Sequence, residues 1–125
     1  MKQRTIKQPV TISGAGLHSG ASATITFKPA PVNHGYKFQR VDLEGQPVIN
    51  ADVNRVISTN RGTTIQSGTA EISTVEHALS ALFGLQIDNV LMVIDGPEVP
   101  ILDGSALEFV SALEAAGLEE QDAER

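Results

Sequence analysis

The chain has 125 residues, 41% of them hydrophobic and 19% charged, with a formal net charge of −6 and no cysteine. That length suits one domain with a real core, and the lack of cysteine excludes a disulfide framework and any thiolate metal site, leaving histidine, carboxylate or water as metal donors. The acidic balance argues against a nucleic-acid partner, the longest apolar run, 90–94, is far too short for a transmembrane segment, and no apolar run follows the charged start to suggest a signal peptide. A soluble cytoplasmic domain is the expectation.

In chain order, residues 5–12 alternate apolar and polar, the period-two pattern of a half-buried strand, with Pro9 implying an edge or a bulge. Gly14, Gly16 and Gly20 then punctuate a loop. Residues 21–28 alternate again through Ala23, Ile25 and Phe27, and Pro29, Pro31, Asn33 and Gly35 mark a turn. Residues 36–43 read as a third strand, and 52–57 and 63–66 as short strands around an Asn60-Arg61-Gly62 turn. From Ser73 the period changes: Val75, Ala78, Leu79, Leu82 and Phe83 recur at helical spacing over 73–85, with Ser73 as N-cap and Gly84 near the end. Residues 90–94 read as a buried strand, and 105–116 as a second helix with Phe109, Val110 and Leu113 inward and Gly117 as its stop.

Strands followed by helix, strand, helix predict an α+β fold. The expected form is a two-layer domain: a mostly antiparallel sheet of about five strands with two helices on one face. Residues 1–117 form this domain, and the acidic residues 118–125 read as a linker or truncated tail. The outward sides of the helices are left uncovered, which predicts self-association through the helix face.

Three stretches bear on chemistry. Gly14-Ala15-Gly16-Leu17-His18-Ser19-Gly20 is not a dinucleotide fingerprint, because its third glycine falls one place late and a strand follows where a helix is needed. It reads as a loop between strands, with His18 able to approach a ligand closely. Ser73-Thr74-Val75-Glu76-His77 matches a capping box, in which Glu76 reaches back to the Ser73 amide, and Ser105 and Glu108 repeat the pattern. His77 falls opposite the predicted apolar stripe, so it faces solvent or another body, with Glu76 beside it. A glutamate followed by histidine also suits a zinc hydrolase, in which the imidazole ligates metal and the carboxylate takes a proton from water. A catalytic zinc needs more protein ligands than this chain's three histidines offer, since His34 sits in a proline-flanked turn. Residues 95–105, with two Asp-Gly steps and two prolines, read as a rigid loop placing Asp103 and Ser105 near the second helix. Arg61 could meet an anion from a turn or pocket wall.

Four stretches in order carry a family resemblance: 14–20, 59–64 (Thr59-Asn60-Arg61-Gly62-Thr63-Thr64), 72–77 and 97–105. Together they resemble the UDP-3-O-acyl-N-acetylglucosamine deacetylases of lipid A biosynthesis, over almost the whole chain. The resemblance implies two similar α+β domains, with helices packed between outer sheets and the active site at their junction. It implies that His77 is a zinc ligand and that Glu76 is the general base. It places Leu17, His18, Asn60, Arg61 and Gly62 in the substrate and active-site region. The remaining zinc ligands, a histidine and an aspartate, and the histidine that stabilises the oxyanion are expected from a carboxy-terminal domain, so the isolated chain is expected to be inactive. The competing reading is a non-catalytic α+β interaction module that docks a partner through its helix face.

Overall fold

The computed structural model describes residues 1–51 and 63–125 in full and 56–58 as backbone. Its main sheet contains β2 (Val10–Ala15), β3 (Ser22–Pro29), β4 (Tyr36–Arg40), β5 (Val48–Asn50) and β9 (Val90–Ile94), in the order β2-β3-β9-β4-β5. Every pairing is antiparallel except β4 with β9, which run parallel with Phe38 opposite Met92. The sheet is therefore mixed, because a long crossover separates β4 from β9. Within that crossover, β6 (Val56–Ser58), β7 (Thr64–Ser67) and β8 (Ala70–Ile72) form a small antiparallel sheet. It leads into the first helix, α1 (Glu76–Gly84).

Period-two alternation sorts the main sheet into two faces. Ala23, Ile25, Phe27, Phe38, Ile49, Val90, Met92 and Ile94 are buried on one face. The hydroxyl pairs Thr11–Thr26 and Ser13–Thr24, each 2.9 Å apart, lie on the exposed face. The helices cover the apolar face: Ala78, Ala81 and Leu82 of α1 join Phe109, Leu113 and Ala116 of α2 (Leu107–Ala116) in the same core. Phe109 meets Phe27 edge-to-face, with centroids 6.0 Å apart and planes at 71°, the arrangement preferred by aromatic quadrupoles. The expected α+β two-layer class is what the chain forms.

Several local expectations are corrected. Residues 5–12 are not one strand. β1 (Lys2–Ile6) leaves the main sheet and pairs antiparallel with β10 (Leu118–Glu124), with Ile6 opposite Leu118. The chain divides at residues 7–9, where Lys7 N–H donates to Gly117 O (2.9 Å) and Pro9 can donate nothing. The acidic end read as a linker is thus a strand. Its inward position at Gln121 is polar: Gln121 Nε2 donates to Ala30 O, and Asn89 Nδ2 donates to Gln121 Oε1, both at 2.8 Å. A strand anchored by amides shows no apolar alternation to read. Gly117 permits the sharp reversal from α2 into β10 with φ 84°, a left-handed conformation cheap only for glycine.

Both helices start later than their serines suggest. The N-cap positions are Val75 and Ala106, and neither helix has a side-chain cap. The core stripe of α1 is also rotated from the predicted one, so that Leu79 is half-buried and Phe83 is 78% exposed. Leu107 at the start of α2 is 68% exposed.

Phe109→Ala is expected to destabilise the domain by about 3–5 kcal/mol, since it removes a fully buried ring and leaves a cavity against Phe27. Urea denaturation followed by circular dichroism measures this; a loss under about 1 kcal/mol would mean that the helix–sheet contact is not the core of the fold.

Candidate functional site

Glu76 and His77 are the first residues of α1, and Thr74 and Val75 before them belong to neither strand nor helix. Ser73 N–H donates to Pro97 O (2.8 Å) and Val99 N–H donates to Ser73 O (3.0 Å), so Ser73 is stitched to the loop after β9, while Val75 N–H donates to Thr63 O (3.3 Å). Thr74 has φ 62°. A β-branched residue pays about 1–3 kcal/mol for that backbone, which persists only where surroundings over-determine it.

This lead-in dismantles the capping box. Val75 occupies the N-cap position, so Ser73 lies two residues too early, and its hydroxyl instead accepts from Thr64 Oγ1 at 2.9 Å. Glu76 is free of the cap. Its Oε2 accepts from Thr63 N–H at 2.8 Å, while its Oε1 is buried and has no hydrogen-bond partner among the described residues. Buried polar atoms are almost always satisfied, so an orphan carboxylate oxygen is a candidate for contact with something that arrives from outside. His77 is half-buried beside it. The Asp103 carboxyl is held below the ordinary range chiefly by the Ser105 hydroxyl and then by the Ser105 N–H. Ser105 donates to Asp103 Oδ1 from its hydroxyl (2.8 Å) and its N–H (3.0 Å).

His18 reaches this neighbourhood through Glu98. The Glu98 side chain is buried, its residue only 4% exposed. His18 N–H donates to both of its oxygens (3.2 and 3.1 Å), Ser19 N–H to Oε1 (2.9 Å) and Thr74 Oγ1 to Oε2 (2.7 Å). Burial pushes the Glu98 carboxyl up, but the bonds from Ser19 N–H, the Thr74 hydroxyl and His18 N–H outweigh it, and its pKa lies below the ordinary 4.5. Gly16 makes room for the carboxylate: a Cβ there would stand 2.2 Å from Glu98 Oε1. Ile101 N–H donates to Ala15 O at 3.0 Å, closing the same junction. The side chains of Leu17 (57% exposed) and His18 project from the clamped loop.

The structure thus brings the His18 loop, the start of α1 and the loop after β9 together. Asn60, Arg61 and Gly62 lie outside the described residues. His34 is elsewhere: it precedes β4, whose Tyr36 pairs with Val90 at the opposite end of β9, and its Nδ1 lies 2.9 Å from Gly35 O. Among the described residues no group of three or more histidines, cysteines or acids could hold a metal ion. Thr63, Thr74 and Glu98 were not legible as site residues, because a threonine or glutamate in a turn carries no periodic signal. Each lies within one of the stretches that carry the family resemblance, and Glu98 also stands between Pro97 and Pro100, where the backbone is restricted.

The fold and site define an α+β domain that presents a glutamate–histidine pair at the start of its first helix. Residues 3–125 match the family described as LpxC: UDP-3-O-acyl N-acetylglycosamine deacetylase, and the chain belongs to that family. It is 53% identical over 123 residues to the bifunctional enzyme LpxC/FabZ of Bacteroides thetaiotaomicron, covering 98% of this chain and 27% of that protein. It is 49% identical over 123 residues to the UDP-3-O-acyl-N-acetylglucosamine deacetylase of Psychrobacter sp., and 50% identical over 123 residues to that of Acidithiobacillus ferrooxidans. Those matches cover 98% of this chain and 41% and 40% of the relatives. The chain therefore spans between about a quarter and two-fifths of the curated relatives it matches.

Two outcomes follow from the Glu98 clamp. Gly16→Ala drives a methyl into the carboxylate and is expected to destabilise the domain by about 1–3 kcal/mol, measurable by thermal or urea unfolding. Because the folded pKa of Glu98 is depressed, its ionised form stabilises the fold above the ordinary value of 4.5, and that contribution is lost as pH falls through the folded value. Unfolding free energy below about pH 4.5 should fall more steeply for the natural protein than for Glu98→Gln; parallel curves in urea titrations would contradict the clamp.

Proposed function

We propose that this chain is the amino-terminal part of a zinc-dependent N-deacetylase that converts UDP-3-O-acyl-N-acetylglucosamine to its free amine and acetate, in the cytoplasm, for lipid A biosynthesis. The observation that carries the reading is the Glu76 carboxylate beside His77 at the head of a helix in a member of this family, with Oε2 held by Thr63 N–H and Oε1 buried without a partner among the described residues. The chain alone is inactive on this reading.

The donors present fit one corner of a zinc site, with His77 as the imidazole ligand and the others supplied by a carboxy-terminal domain. Zinc, when bound, would polarise the acetamide carbonyl and acidify water. Glu76 does the proton work. Thr63 N–H fixes its Oε2, so the carboxylate cannot swing away, and Oε1 is left free to accept the proton of the attacking water. His18 and Leu17 line the substrate side from the clamped loop, with Asn60, Arg61 and Gly62 assigned to the same region by family likeness. The carboxy-terminal domain is assigned to the outer helix face, where Phe83 and Leu107 offer apolar surface. Self-association of the isolated chain through that face follows from the same exposure.

In the enzyme with both halves present, Glu76→Gln is expected to lower kcat by about 10²–10⁴-fold with zinc content retained. His77→Ala is expected to lose bound zinc, read by atomic absorption after dialysis, and activity with it. An active Glu76→Gln enzyme would remove Glu76 from the chemistry. Full zinc occupancy in His77→Ala would remove His77 from the ligand set.

A further inference from the structure

We propose that Glu98 is a positioning residue for this site: its buried carboxylate fixes where His18 stands relative to Glu76. The inference rests on the reading of His18 as a member of the active site and extends it to a residue that touches no substrate.

The glycine-rich loop cannot hold a shape by itself. Gly16 and Gly20 give its backbone wide freedom, and its internal bonds are few: Gly16 N–H to Ala21 O at 2.9 Å, Gly20 N–H to Gly16 O at 3.1 Å and Ala21 N–H to Ser19 Oγ at 3.2 Å. Its middle, where His18 sits, is held from outside by the three contacts from His18 and Ser19 N–H to Glu98. Bonds to an ionised acceptor are stronger than neutral ones; the tightest of the three is from Ser19 N–H at 2.9 Å, and His18 N–H is shared between both oxygens. The same carboxylate takes the Thr74 hydroxyl at 2.7 Å, and Thr74 is two residues before Glu76. Its left-handed backbone, φ 62°, sets the direction in which α1 begins. One anionic group therefore ties the His18 loop to the lead-in of α1, whose own place is also held by Ser73 against Pro97 and Val99, by Val75 N–H on Thr63 O and by Thr63 N–H on Glu76. Gly16 is shaped to that purpose as well, since any side chain there would occupy the carboxylate's place. Glutamine at 98 keeps the size and one oxygen but turns an N–H₂ toward backbone donors, so it disrupts the clamp without opening a cavity.

The test is a double-mutant cycle in the full-length enzyme, comparing Glu98→Gln, His18→Ala and the pair, with zinc content and melting temperature recorded for each. A misplacement of about 1 Å can cost 10²-fold in rate, so Glu98→Gln should lower kcat roughly ten- to a hundredfold while zinc content holds. In the His18→Ala background the same change should have almost no further effect on kcat, because what Glu98 positions is already gone. Losses that multiply would show that Glu98 does not act through His18, and an unimpaired Glu98→Gln would show that the loop needs no clamp; either overturns the proposal. A harmless His18→Ala also overturns it, and in addition withdraws His18 from the site. If Glu98→Gln yields too little folded protein, Thr74→Val keeps the carboxylate and both loop residues' bonds and gives the same cycle. Its smaller loss of kcat should likewise vanish in the His18→Ala background, and a loss that persists there counts against the proposal.

Discussion

A carboxylate leaves water only where donors meet its charge, because an unpaired buried ion costs several kcal/mol. At Glu98 the donors are two backbone N–H groups of the loop between β2 and β3 and the hydroxyl of Thr74. Bringing those groups to one point dictates much of the surrounding backbone. Gly16 must lack a side chain, Thr74 must accept a strained conformation, and the 97–101 loop must lie between the end of β2 and the lead-in to α1. The three segments that frame the site are thus not independent loops but parts of one polar junction.

A second polar cluster does comparable work at the other end of the domain. Thr5 Oγ1 donates to Asn89 O at 2.6 Å and accepts from Ala30 N–H at 3.1 Å. Asn89 Nδ2 bridges Gln3 Oε1 and Gln121 Oε1, both at 2.8 Å. Satisfied networks of this kind specify a unique arrangement, since every alternative leaves a buried donor or acceptor unmet. Here they fasten the β1–β10 ribbon to the end of the main sheet. The rest of the fold is held by apolar burial, sealed by the Phe27–Phe109 contact.

Between these junctions, Glu76 stands out for being only half satisfied. The strain at Thr74 and the orphan Oε1 are two departures from local rules within three residues. Such departures concentrate at functional sites. Matches cover 98% of this chain but only 27–41% of its relatives' length, and Phe83 and Leu107 stand exposed on its helices.

The sequence by itself determined the fold class, the core of strands β3 and β9, and the inward face of α2, because apolar alternation and helical spacing report directly which face meets a core. Its motif pattern also pointed to Glu76, His77 and His18. It could not determine that 118–124 is a strand, since the positions that anchor β10 are amides rather than hydrocarbon. Nor could it choose between Glu76 as a cap and Glu76 as a free acid: Ser-x-x-Glu is correct spacing in either case, and only the stitching of Ser73 to Pro97 and Val99 moves the helix start out of register. The part played by Glu98 was likewise decided in three dimensions. Its partners lie 24 and 79–80 residues away in the chain, and no local pattern records a hydrogen bond across that distance.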